Sequence, residues 1–392
     1  MRSSQVRGEC PGGREGVDRR SIARDALVRR FGCPSPSSTS SMLMPQGRNA
    51  TSTGEAGTMP EAVGVIGVGR MGAPLVARLV AAGHVVLATD IRPGRRREAE
   101  QAGARWAADT ALVAADSSVV LTVLPGSPEL EELVAGSGRL LAQMGDRTTW
   151  VDLTSASFEL GQDCARRARR HGVAYLDAPV GGGVAAMRDG AVALYVGGDG
   201  RDLAAAAPVL RSFARTIHHV GGSGTGYLAK LLINLLWFGQ ATLTTEALLL
   251  AQRHGLPPDR MREVLAGSAG DSAFAAQHLP ALLDGDYLGD FGLDRCVEEL
   301  GSIEHSADRA GTPHALTSVI AELHRSALRH YGTADGGTVD GELLAAAWLE
   351  EQAGSRLARD ENRSQPGSRT AFRTAHWCSV HPGGCRWREV SD

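Results

Sequence analysis

Residues 62–84 read "AVGVIGVGRMGAPLVARLVAAGH", and this stretch constrains the fold more than any other. A short apolar run stops at Gly67. Gly69 and Gly72 follow at the GxGxxG spacing, and an apolar-striped segment runs on to Gly83. Run, glycine turn and striped segment predict strand, tight turn and helix. In that context Gly67 permits the turn, Gly69 lets backbone approach a pyrophosphate, and Gly72 lets helix and strand pack closely. Free amides at the helix start, aided by the helix dipole, favour an anion there.

The strand signal repeats. "HVVLATD", "SSVVLTVLP", "TTWVDLT", "VAYLDAPV" and "AVALYVGG" are apolar runs separated by helical stretches, which predicts a parallel sheet covered on both faces. From about residue 224 the pattern changes. "YLAKLLINLLWFGQATLTTEALLLAQRHG" reads as one long helix, too apolar for a surface and therefore expected between domains or subunits. Helical stretches follow at 257–267, 293–311, 313–331 and 338–352. The expected architecture is a Rossmann-type α/β domain over residues 61–223, then an all-α domain over 224–352. Residues 1–60 ("RFGCPSPSSTSSM") and 353–392 hold no lasting period and read as a disordered extension and tail, with Met59 a candidate start.

Composition removes several classes. Net charge is −3, which leaves no footprint for nucleic acid, and no apolar run reaches the roughly 20 residues of a membrane span. Six cysteines without a CxxC pair, four of them in the tails, do not suggest a disulfide framework. The N-terminus carries charges where a signal peptide needs its apolar core, so the reading is cytoplasmic. His376, Cys378, His381 and Cys385 lack a standard zinc spacing, so no metal is expected.

The second predicted strand ends at Asp90, 18 residues after Gly72. A carboxylate there accepts from ribose hydroxyls and repels a 2′-phosphate, which favours NAD. Arg92, Arg95, Arg96 and Arg97 follow, and arginines near that position accommodate a 2′-phosphate, so NADP stays open.

One further residue stands out. Lys230 is the only lysine, against 40 arginines. Arginine meets any need for positive charge alone, whereas a lysine can also release its proton when buried. The alternative is a snorkelling lysine on an amphipathic helix. Asn234 lies at i+4, so both side chains share one helix face. Burial among Leu231, Leu232 and Leu235 would disfavour the ammonium and suit Lys230 to general acid/base work, with Asn234 positioning the substrate. The run Gly181, Gly182, Gly183 offers amides without side-chain bulk for a substrate carboxylate, or is only a turn.

Three blocks together resemble the β-hydroxyacid dehydrogenase family, typified by 3-hydroxyisobutyrate dehydrogenase and related to 6-phosphogluconate dehydrogenase. The opening block supplies Gly67, Gly69, Met71, Gly72, Leu79, Gly83 and His84. The second is "DAPVGGG", residues 177–183, and the third holds Gly224, Gly226, Lys230 and Asn234. The resemblance spans roughly residues 61–350. It implies an NAD(P)-dependent oxidoreductase that exchanges hydride with a β-hydroxyacid or related carbonyl compound, and a homodimer or higher homo-oligomer. It further implies cofactor contacts from Met71, Leu124, Pro125 and Ser155 and substrate contact from Thr154. Ser157 suits the N-cap of the following helix.

Three positions depart from the family pattern. Gly181 stands where serine is common, Ile233 where a polar residue is frequent, and Glu298 where the family carries lysine. A carboxylate at 298 reverses the local charge unless Arg295 offsets it, which points to a less anionic or larger substrate. The alternative function is a catalytically silent NAD(P)-binding protein acting through its helical domain. Reduction of imines is a further variant, although related imine reductases usually lack this lysine.

Overall fold

The computed structural model describes residues 62–359 apart from 136–138, 146–147 and 333–338. The readings made for residues 1–60 and for the tail beyond 359, including Met59 and the four tail His and Cys residues, lie outside the described residues.

Nine strands form one sheet: β1 (Ala62–Ile66), β2 (Val86–Thr89), β3 (Arg105–Trp106), β4 (Ser117–Thr122), β5 (Thr149–Asp152), β6 (Ala174–Asp177), β7 (Val180–Gly181), β8 (Val192–Gly198) and β9 (Ala214–Gly221). Their order is β3-β2-β1-β4-β5-β6-β8-β7, with β9 paired to β8. All pairings from β3 through β6 are parallel. The chain reverses direction of travel across the sheet between β1 and β4, and ligands of such sheets bind in the crevice beyond the strand ends at that point.

Alternation along each strand explains the two covered faces. Val63 and Val65 of β1, Val119 and Leu121 of β4 and Val151 of β5 join one core, with Leu75, Val76 and Leu79 of the helix Gly72–Ala81. Ile66, Val120, Trp150 and Tyr175 project into the other core, with Leu160 and Cys164 of the helix Phe158–Arg170. Each strand residue thus alternates sides with the pleat.

The sheet departs from the expected one beyond β6. The "AVALYVGG" strand, β8, runs antiparallel to β6, and β7 is antiparallel to β8. β6 and β7 run the same way along β8, and the ten residues 182–191 that bring the chain back to β8 are too few for the crossover that a parallel pair requires. β9 was not foreseen: its "ARTIHHVG" is largely exposed and lacks an apolar run.

The last strand ends at Gly221, and the helix Thr225–Arg253 begins the helical part. Helices Pro258–Leu265, Ala273–Gln277, Leu279–Leu283, Leu293–Ala310, Ala315–Tyr331 and Leu344–Ala353 complete it. The α/β sheet followed by helices is the fold class expected. The long helix buries one face, carrying Tyr227, Leu231, Phe238, Ala241 and Leu248. Its other face leaves Leu232, Leu236, Leu243 and Leu250 exposed, so Leu232 does not bury Lys230 as expected. No described helix is long and apolar enough to cross a membrane.

Candidate active site

The glycine loop joins β1 to its helix with Gly67 at φ +99°, a conformation that favours glycine. A Cβ at Gly67 would lie 2.3 Å from the Val123 carbonyl oxygen, and one at Gly72 would lie 2.0 Å from that of Gly67. At Gly69 the nearest atom would be Arg92 Nη2 at 3.6 Å. The loop is packed tight beneath and open above. Met71 stands at the N-cap without a side-chain cap; the Ala73 amide already donates to the Gly69 carbonyl at 3.0 Å and Pro74 has no N–H, so an anion here is left to the amides of Gly69 to Gly72. This arrangement fits a pyrophosphate.

Asp90 closes β2 beside the loop. Its Oδ2 accepts the Val68 amide at 2.8 Å, and Oδ1 accepts the Arg92 amide at 2.8 Å and Nε at 3.2 Å. Burial alone would raise the carboxyl pKa, but the bonds from Arg92 and Val68 outweigh it and hold it below its ordinary value. The carboxylate lies against the loop, its side chain nearly buried, and the arginine beside Gly69 is already paired with it.

Beyond β4 and β5 the chain presents Leu124, Pro125 and Ser155. Leu124 and Ser155 are half-buried and Pro125 is exposed. Thr154 sits deeper, at 2% exposure. Its hydroxyl donates to Asp152 Oδ1 at 2.7 Å and accepts the Leu124 amide at 3.2 Å. That hydroxyl braces the Leu124 turn from within the framework. Asp152 is itself buried at the centre of a network, accepting from Thr122, Thr154 and Tyr227, and Tyr175 bonds the Tyr227 hydroxyl at 2.8 Å. Ser157 caps the helix Phe158–Arg170 by accepting the Leu160 amide at 3.2 Å, as its position suggested.

The second and third sequence blocks meet at the start of the long helix. Asp177 Oδ1 accepts the Gly224 amide at 2.7 Å, and Oδ2 accepts the Tyr227 amide at 3.1 Å. A Cβ at Gly226 would fall 2.3 Å from the Tyr195 carbonyl oxygen and 2.5 Å from that of Asp177, so only glycine lets the helix sit this close. With Tyr227 also tied to Asp152, the first turn is fixed from two sides. Lys230 follows one turn later.

Lys230 is half-buried. Its Nζ donates to Asn234 Oδ1 at 2.9 Å, so the i, i+4 pair is in direct contact. Asn234 Nδ2 donates in turn to Glu299 Oε2 at 2.6 Å. Glu299, at 4% exposure, comes from the helix Leu293–Ala310. Burial raises its carboxyl pKa, while the Lys230 charge and the Asn234 and Ser155 side chains oppose the rise. Glu342 faces the same lysine, and burial pushes its carboxyl up to about 7, again against the Lys230 charge.

Sequence reasoning missed Glu299 and Glu342. A signal for the first was present. Cys296, Leu300 and Ile303 form the apolar stripe of their helix, and Glu299 lies inside that stripe. A carboxylate in an apolar stripe needs a partner.

The neighbouring Glu298, which did attract notice, turns to a different task. Its Oε1 accepts the Ser127 amide at 2.9 Å, at the start of the helix Ser127–Ala135. Its Oε2 accepts Arg295 Nη1 at 2.8 Å, and Arg295 also grips Glu129 at 2.6 Å. Arg295 therefore does offset Glu298, and the pair ties the helical part to the sheet. A Cβ at Gly126 would approach the Glu298 oxygens to 2.7 and 2.8 Å, so glycine makes room for the contact.

Gly181 to Gly183 lie at the turn from β7 into the next helix. Gly181 lies in β7 opposite Ala193, and Gly182, at φ +107°, starts the helix Gly183–Arg188. Among the described residues, no hydrogen bond joins these glycines to Lys230 or Asn234.

Comparison with known proteins agrees with this geometry. The family profile for the NAD binding domain of 6-phosphogluconate dehydrogenase matches residues 62–221. That for the NAD-binding region of NADP-dependent 3-hydroxyisobutyrate dehydrogenase matches 224–339. The 3-hydroxyisobutyrate dehydrogenase of Pseudomonas aeruginosa is 33% identical over 276 residues, covering 68% of this chain and 92% of that protein. The 2-(hydroxymethyl)glutarate dehydrogenase of Eubacterium barkeri is 30% identical, covering 67% and 87%. Among solved structures, Mycobacterium tuberculosis 3-hydroxyisobutyrate dehydrogenase with L-serine superposes with a TM-score of 0.66 at 28% identity, covering 74% of this chain and 99% of that one. Phosphate loop, capped lysine helix and these relatives lead to one conclusion: the chain belongs to the β-hydroxyacid dehydrogenase family of NAD(P)-dependent oxidoreductases, enzymes that act on CH–OH groups.

Proposed function

We propose that this enzyme interconverts a β-hydroxyacid and its carbonyl product, with Lys230 as the general acid/base. The observation that carries the reading is the sole lysine of the chain, held by Asn234 at 2.9 Å on a helix whose start is fixed by Asp177. Gly67, Gly69, Met71 and Gly72 hold the pyrophosphate, Asp90 the ribose, and Leu124, Pro125 and Ser155 flank the nicotinamide. The bound cofactor accepts or supplies the hydride. In oxidation Lys230 takes the proton of the substrate hydroxyl, and in reduction it returns a proton to the forming alkoxide. Asn234 steadies the amine through its Oδ1.

NAD is the favoured cofactor, because Asp90 closes the second strand beside the glycine loop, where a carboxylate suits ribose hydroxyls and disfavours a 2′-phosphate. Arg92, exposed beside Gly69, provides for NADP. Arg295 supports an anionic substrate only weakly, since Glu298 and Glu129 already use its charge. Of the relatives' substrates, monocarboxylic β-hydroxyacids therefore suit this site better than the dicarboxylic 2-(hydroxymethyl)glutarate. Gly181 to Gly183 remain candidates for the carboxylate. The exposed face of the long helix, with Leu236 at 65% and Leu243 at 69%, supports a homodimer packed along it.

The test is a panel of 3-hydroxyacids and their semialdehydes with NAD and NADP, followed at 340 nm, in wild type and Lys230→Ala. Turnover of at least one monocarboxylic substrate that Lys230→Ala loses supports the reading. Wild-type cofactor binding without turnover of any substrate contradicts it.

A further inference from the structure

Lys230 does not stand on its helix alone, because a third side chain decides what Asn234 can offer it. The amide of asparagine has two faces, an accepting oxygen and a donating NH2. As an ammonium Lys230 is donor-only, so in that form it bonds Asn234 only when the oxygen faces it. On the long helix itself nothing enforces that choice. Glu299 does: its Oε2 lies 2.6 Å from Asn234 Nδ2, and as a carboxylate, the form the Lys230 charge favours, it can only accept. The flipped amide would set oxygen against oxygen at Glu299 and NH2 against ammonium at Lys230, two repulsions in a half-buried site.

The placement of Glu299 supports a dedicated task. It is buried within the apolar stripe of the helix Leu293–Ala310, where a carboxylate is costly. Its other oxygen, Oε1, is buried without a hydrogen-bond partner. Lys230 is the charge that most favours its ionised form, with Asn234 and Ser155 next. The carboxylate thus spans the ground between the lysine helix and the cofactor-side turn that carries Ser155.

We propose that Glu299 is a positioning residue: it fixes the Asn234 amide with its oxygen toward Lys230 and so aligns the amine with the substrate hydroxyl. The proposal rests on the reading of Lys230 as the proton-exchanging group and adds a residue that touches neither substrate nor cofactor.

Steady-state kinetics on purified full-length variants test it, with cofactor affinity and melting temperature measured alongside. Glu299→Ala leaves the amide free to flip, and kcat should fall 10- to 100-fold, the scale of a misaligned reacting group. The KM for cofactor should stay within about 2-fold, since the phosphate loop is untouched. Glu299→Gln keeps an accepting oxygen and should lose no more than about 5-fold, and Glu299→Asp should recover part of the loss. Asn234→Ala should match Glu299→Ala, and the double variant should be no worse than Asn234→Ala alone, because both remove one alignment. Multiplying losses in the double variant would overturn the proposal. So would a kcat within 3-fold of wild type in Glu299→Ala, or equal losses in the Ala and Gln variants. Should Glu299→Ala fail to fold, the Gln variant decides: a loss well above 5-fold in a folded protein overturns the proposal. Lys230→Ala, measured in parallel, keeps the two readings apart. If its turnover is undiminished the lysine reading itself falls, whereas an inactive Lys230→Ala beside a fully active Glu299→Ala overturns only the role of Glu299.

Discussion

The carboxylate of Asp177 accepts the backbone amides of Gly224 at 2.7 Å and Tyr227 at 3.1 Å, so the "DAPVGGG" block caps the helix that bears Lys230. Two segments separated by some fifty residues are in this way one device. The cap satisfies orphan amides and places a negative charge at the positive end of the helix dipole. It also sets where Lys230 stands relative to the sheet.

Asp177→Ala should therefore cost about 2–3 kcal/mol, from two buried bonds to a charged acceptor, read as a lower urea midpoint. The pH dependence is specific. Burial pushes the Asp177 carboxyl up to about 6, against the opposing backbone amides, from an ordinary 3.8. The folded state then holds this proton more tightly than the unfolded chain, so its stabilising contribution is lost as pH rises from about 4 to about 6. The stability of wild type relative to Asp177→Asn should increase on going from pH 7 to pH 5, by about 1.3 kcal/mol. A difference that is flat with pH contradicts this.

Arg295 and Glu298 fasten the helical part to the helix Ser127–Ala135. Arg295→Ala leaves Glu298 with a buried face and no counter-ion, and Gly126→Ala drives a methyl into its oxygens. Each should destabilise by about 1–3 kcal/mol in denaturant titration. Glu298→Gln keeps an acceptor for the Ser127 amide and should cost less than either.

Cofactor choice should respond to Arg92. With the guanidinium removed in Arg92→Ala, kcat/KM for NADP should drop by about tenfold or more, as expected for one charge-assisted contact of 1.5–3 kcal/mol. That for NAD should hold within about 2-fold. Asp90→Ala should act in the opposite sense and weaken NAD. Equal losses for both cofactors in Arg92→Ala would show that the arginine only supports the loop.

The stripe Leu232, Leu236, Leu243 and Leu250 recurs on one face of the long helix. Leu236→Glu with Leu243→Glu should shift sedimentation from dimer to monomer at micromolar concentration while the melting of the sheet core changes little. An unchanged sedimentation coefficient would place any interface elsewhere.

The features written locally in the chain were the legible ones. The glycine loop, the strands β1, β2, β4, β5 and β6 and the long helix each show in a window of 5 to 30 residues as a period or a turn. Strand direction is not local, and the reversal at β8 follows from the short return through residues 182–191, which shows as a return only once β6 and β7 pair with β8. β9 escaped because an exposed edge strand needs no apolar run. Within the site, Lys230 and Asn234 were legible as i and i+4. Glu299 was hidden by charge, since glutamate on a helix ordinarily faces water. The substrate contact expected of Thr154 meets a hydroxyl already claimed by Asp152 and the Leu124 amide, neighbours in space that no local window shows.

The most direct measurement is the single-turnover rate of hydride transfer in Lys230→Ala with saturating cofactor and the best substrate of the panel. General acid/base catalysis by this amine predicts a fall of about 10²- to 10⁴-fold with cofactor affinity unchanged. A rate within a few-fold of wild type would contradict the account.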